Sequence, residues 1–183
     1  THLENNDTTW SGTSRLVHAE GAGSLIHTEL AEGENFSFVV SVNENNEGNP
    51  NANHPRMVEA SKGGQVILNN GTITGYSAQW KGAYYSLYGL AVTDNSDGLI
   101  ETHNVDIHIT GKGVGARTWN EGDKSKTQKI AINGGTMTIE GDASTGLWAS
   151  MDNSIITTNN LTLTMTGDDN AYGVYSESSR IDL

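Results

Sequence analysis

A phrase that returns at a fixed interval constrains this chain more than any other feature. Gly146-Leu147-Trp148-Ala149 comes back as Gly173-Val174-Tyr175-Ser176, a shift of 27 residues (from Gly146 to Gly173). Ser154-Ile155-Ile156 comes back as Ser179-Arg180-Ile181 after nearly the same interval. A constant period of roughly 20–50 residues marks a repeat architecture. The same strand, turn, strand phrase is legible four more times. Leu16-Val17-His18-Ala19 precedes Ser24-Leu25-Ile26, and Met57-Val58-Glu59-Ala60 precedes Gln65-Val66-Ile67. Leu90-Ala91-Val92 precedes Leu99-Ile100, and Ala116-Arg117-Thr118 precedes Lys129-Ile130. That makes six copies.

A third strand follows the second in most copies. Aligned on a closing glycine, it reads Thr72-Ile73-Thr74-Gly75, then Val105 to Gly111, Thr136 to Gly141 and Leu161 to Gly167. Strict apolar/polar alternation means strands buried on one face. The alignment predicts an inward column of Ile73, Ile109, Ile139 and Met165, with Ile107, Met137 and Leu163 beside it. The outward positions are mostly threonine, a good strand former. Between the second and third strands lie Asn69-Asn70, His103-Asn104, Asn133-Gly134 and Asn159-Asn160. Asparagine and glycine tolerate the left-handed backbone of a sharp corner.

Three short strands per turn, with no helical periodicity, predict an all-β fold. The expected form is a right-handed single-stranded parallel β-helix of about six coils. At one strand spacing per coil, six coils span roughly 30 Å. One domain is expected over residues 1–183, as a piece of a longer chain. Protruding insertions are expected at about 41–56 and 76–88, and a shorter polar excursion at Trp119 to Gln128. The head, Thr1 to Ser14, reads as an irregular cap or a ragged end.

Composition agrees. Only 34% of residues are hydrophobic, which suits a thin core shared along a stack. The net charge of −12 repels phosphate backbones and anionic lipid, so nucleic acid is not an expected partner. There is no cysteine, hence no disulfide and no thiolate metal site. No apolar run reaches membrane-spanning length, so no membrane insertion is expected within this stretch.

The GLWA and YGVY strand openings, the SIITTNNLTLTMTG phrase and the lack of cysteine resemble passenger domains of bacterial autotransporters. The resemblance covers most of Tyr88 to Leu183 and, more loosely, Leu16 to Gly75. It implies a β-helix stalk, secreted or exposed at the bacterial cell surface, that serves as an adhesin or a self-associating protein. Phage tailspikes and polysaccharide-cleaving enzymes use similar coils.

Candidate chemistry is sparse. Asp94, Asp97, Asp168 and Asp169 loosely resemble the carboxylates of pectin-cleaving β-helices, but the Gly-His-Gly and Arg-Ile-Lys elements that accompany them are absent. Aspartate in a polar turn is ordinarily structural. His103, Asp106 and His108 sit close together, with Asp106 and His108 on one outward face, yet the neighbouring copy offers only Thr138 and Glu140. No metal, cofactor or catalytic set is expected.

The aromatic residues are more informative. With Gly89, Gly115, Gly146 and Gly173 aligned, the residue two places on is Ala91, Arg117, Trp148 and Tyr175. Arg117, Trp148 and Tyr175 should then form an outward ridge at about 4.8 Å per step. The 76–88 insertion can bring Trp80, Tyr84 or Tyr85 to the same face. The alternative is a purely structural stack. Flat rings beside an arginine suit a sugar or a protein partner. The expected function is a non-catalytic adhesin, attaching bacteria to a host glycan or protein. A self-associating biofilm stalk and a polysaccharide lyase or glycoside hydrolase are the alternatives.

Overall fold

The computed structural model describes residues 15–42, 55–77, 86–93, 96–120, 123–167 and 170–183, and the backbone alone of 2–5. Every regular element among the described residues is a β-strand, and all the strand pairs are parallel. None of them is a helix long and apolar enough to cross a membrane. In chain order the strands are β1 (His2–Asn5), β2 (Arg15–Glu20), β3 (Leu25–His27), β4 (Phe36–Val42), β5 (Arg56–Ser61), β6 (Gln65–Ser77), β7 (Leu87–Thr93) and β8 (Gly98–Thr110). The remainder are β9 (Gly113–Trp119), β10 (Gln128–Asn133), β11 (Thr136–Glu140), β12 (Thr145–Ser150), β13 (Ser154–Asn159), β14 (Thr162–Thr166), β15 (Tyr172–Glu177) and β16 (Arg180–Asp182).

The first strands of the six copies form one sheet in the order β15-β12-β9-β7-β5-β2. The second and third strands share a ten-stranded sheet. They share it because β6 and β8 run unbroken for 13 residues through their asparagine corners. The expected separation into three short strands therefore holds in the copies that contain β10–β11 and β13–β14, but not in those two. The corners themselves use the backbone that asparagine allows. Asn70, Asn104 and Asn160 have φ of 55°, 51° and 55°, and Gly134 has 73°. Asn104 Nδ2 reaches Asn70 Oδ1 at 3.4 Å, a ladder contact between stacked corners.

Period-two burial places the core. Val17, Val58, Leu90, Ala116 and Leu147 pair in one buried column of the six-stranded sheet. They face Val66, Ile100, Ile130 and Ile156, which pair in register in the larger sheet. Ile109, Ile139 and Met165 pile up as expected. Ile73 does not join them. It pairs with Ile107, in a column of Phe38, Ile73, Ile107, Met137 and Leu163. Alignment on the closing glycine was two residues out, because Gly75 lies beside Ile109 rather than Gly111. A two-residue slip keeps every side chain on its face, so alternation cannot detect it. Packing can. A Cβ on Gly75 would lie 2.5 Å from Leu87 Cδ2 and 2.9 Å from Met57 Sδ, so side chains from β5 and β7 already fill that site.

Two strands escaped the sequence reading. β4 supplies the third strand of the first copy, pairing Phe36 to Val42 with Gly71 to Ser77. β1 lies in the head expected to be irregular and pairs His2 to Asn5 with Ser37 to Val40. The flanks of both expected insertions are also strand: Ser41, Arg56, Tyr76, Ser77, Leu87 and Tyr88 all lie in ladders. Residues 43–54 and 78–85 lie outside the described residues.

Candidate functional site

The outer face of the six-stranded sheet carries two columns. The first runs Arg15, Arg56, Tyr88, Val114, Thr145, Tyr172. The second runs His18, Glu59, Ala91, Arg117, Trp148, Tyr175. Arg117, Trp148 and Tyr175 are therefore neighbours on consecutive strands, as the glycine alignment predicts.

Glycine is what brings the two columns together. Gly89, Gly115, Gly146 and Gly173 lie between them on β7, β9, β12 and β15. A Cβ on Gly89 would sit 3.2 Å from Ile107 Cγ2, and one on Gly146 would sit 2.8 Å from Leu163 Cδ2. These positions thus point at the core of the facing sheet. Leu90, the next residue, is also core. Two inward positions in succession leave Tyr88 and Ala91 both outward, where they pack with Val114 and Trp148 in a cluster apart from the main core. By the same break in alternation Tyr172 joins Tyr175.

The N-terminal half of this face is ionic. Glu59 is fully buried and takes ion pairs from Arg15 and Arg56. Thr93 Oγ1 donates to the same carboxylate at 2.5 Å, and His18 Nε2 lies 3.6 Å away. The C-terminal half is aromatic. Arg117 is only 6% exposed, which for a cation demands compensation. Its guanidinium carbon lies 4.0 Å from the Trp148 ring centre and 4.5 Å from that of Trp119. Its Nη1 donates to Tyr88 Oη. The arginine is thus a pin packed against two indoles, not a charge held out to solvent. Burial raises the Tyr88 phenol above its ordinary value, and the neighbouring Arg117 pulls the other way.

Beyond the pin the rings open into a groove of about 440 Å³ lined by Tyr88, Trp119, Trp148, Tyr172 and Tyr175, with Ser86, Thr145 and Asn170 among its polar groups. Tyr172 and Tyr175 have ring centres 5.4 Å apart, tilted by 52°. Trp148 meets Tyr175 at 5.7 Å and 86°. Trp148 and Tyr175 are half-buried, and Tyr172 is 49% exposed. The Trp148 indole N–H has no acceptor among the described residues. Tyr88, Trp119 and Tyr172 were not among the expected ridge residues. Strict alternation puts Tyr172 on the opposite face from Tyr175, and the repeated glycine was the signal that it does not.

Trp80, Tyr84, Tyr85, Asp94, Asp168 and Asp169 lie outside the described residues. Asp97 accepts the Thr127 N–H at 2.8 Å and faces Lys126 Nζ at 3.5 Å, so it ties one turn to the next. Asp106 Oδ1 accepts both the N–H and the hydroxyl of Thr136 at 2.8 Å. His108 pairs with Glu140 at 3.2 Å, and His103 with Glu101 at 2.9 Å. Among the described residues no cluster of three or more His, Asp or Glu is placed to hold a metal ion. Comparison of the chain with protein-family models, with curated proteins and with solved structures returns no match.

Proposed function

We propose that the chain is a right-handed parallel β-helix of about six coils. In this reading it forms part of the passenger segment of a bacterial autotransporter, secreted or displayed at the cell surface. Parallel ladders that join like strands of successive copies support the coil reading, and right-handed crossovers are the rule for parallel strands. Its function is adhesive and non-catalytic, with a host-surface glycan or protein as partner.

The observation that carries the adhesive reading is the aromatic groove. Trp148, Tyr172 and Tyr175 line a concavity on an otherwise polar, threonine-rich molecule. Partly exposed aromatic clusters of this kind are typical of binding surfaces. The test is attachment of the purified chain to cultured epithelial cells, compared with Trp148→Ala and Tyr175→Ala. Each variant is expected to bind about tenfold more weakly, the effect of losing one good anchor. Undiminished attachment by both variants would overturn the reading.

A further inference from the structure

We infer that the groove formed by Trp148, Tyr172 and Tyr175 is a subsite for a neutral oligosaccharide, built on β-gluco- or β-galactopyranose units; this deepens the adhesive reading above and rests on it. Size is the first argument. A groove of about 440 Å³ falls within the range of small-ligand sites. It takes one or two sugar rings, whereas a stable protein partner needs about 800 Å² on each side.

Ring geometry is the second. The three rings meet at 52° and 86° rather than stacked face to face, and Tyr172 is 49% exposed, so aromatic surface remains open to a ligand. The face of an aromatic ring is negative and apolar. The C–H bonds that gather on one face of a β-pyranose are weakly positive and apolar, and complement it. The ring hydroxyls project sideways, and the groove lining offers Ser86, Thr145 and Asn170 as polar groups.

Charge selects the kind of sugar. Arg117 lines the groove as well, but its guanidinium lies against the Trp119 and Trp148 rings and has given Nη1 to Tyr88. Lys112, in the groove lining, is engaged by the protein itself. Neither is held out as an anchor for a carboxylate or sulfate, and a net charge of −12 repels both. Arg117 is a positioning residue: its guanidinium carbon, 4.0 Å from the Trp148 ring centre, holds that ring in place.

The experiment is calorimetric titration of the full chain with three neutral probes, cellohexaose, N-acetylchitohexaose and a β-1,4-galactohexaose. A hyaluronan hexasaccharide serves as the anionic control. At least one neutral probe should bind, and hyaluronan should not. Tyr172→Ala should weaken binding about tenfold, while Tyr172→Phe, which keeps the ring, should retain it. Tyr172→Phe also guards against misfolding as the cause of a loss. If no neutral probe binds while cell attachment still depends on Trp148 and Tyr175, the saccharide is wrong and the adhesive reading stands. If hyaluronan binds better than every neutral probe, the charge argument is wrong. If a neutral probe binds but cell attachment ignores both aromatic substitutions, the subsite is right and the adhesive role falls.

Discussion

Gly115 shows how much a missing side chain can decide. A Cβ there would run into Met137 Sδ and lie 2.8 Å from the backbone oxygen of Gly146. The thioether can swing away, but the backbone oxygen of a paired strand cannot. Gly115→Ala is therefore expected to destabilise the fold by about 1–3 kcal/mol, the usual cost of overpacking, read from the urea midpoint. Tyr88 makes a prediction of opposite character. Burial holds its phenol above the ordinary value, so the folded chain keeps a proton that the unfolded chain has already lost. The associated stability is fully present below the unfolded value of about 10 and declines as pH rises towards the folded one. Wild-type stability should fall through that alkaline window, and Tyr88→Phe should fall less steeply. Ultraviolet titration of phenolate should find Tyr88 ionising above the ordinary tyrosine range.

At the scale of the strand, the informative element is β8. It runs through the corner at His103-Asn104 without a break and pairs with three other strands, β6, β10 and β11. Ile107, at its centre, is 2% exposed and sits between Ile73 and Met137. Ile107→Ala should cost about 2–5 kcal/mol, with the denaturant slope unchanged if the rest of the fold is intact. The strands were legible because alternation is strong where threonine faces out and isoleucine faces in. β4 was not, because Phe36-Ser37-Phe38-Val39-Val40 stands next to a polar stretch and has no closing glycine to align. The outward column of Arg117, Trp148 and Tyr175 was read correctly from glycine spacing. The groove was not, since Tyr172 reaches it only through a break in alternation at Gly173.

For the molecule as a whole, the unequal distribution of charge matters most. The chain carries 22 acidic against 10 basic residues, and their mutual repulsion opposes any compact state. Raising salt from low to physiological strength screens that repulsion. A higher melting temperature with added salt is expected, and a melting temperature that falls with salt would show that specific ion pairs dominate instead. The buried Glu59 with Arg15 and Arg56 is one place where pairing is strong, but most other ion pairs here are exposed and contribute little each.

Periodicity settles which side of a regular strand faces the core, and corner chemistry settles where the chain bends; both are local properties, so residues alone determined the repeat, the asparagine corners and the strands other than β1 and β4. Alternation is unchanged by a shift of two, so register was left to packing. Gly75 found its place beside Ile109 because Leu87 and Met57 occupy the room its side chain would need. The burial of Arg117 was likewise undecidable from the chain alone, because a guanidinium leaves water only when rings from other strands, Trp148 and Tyr88, close around it.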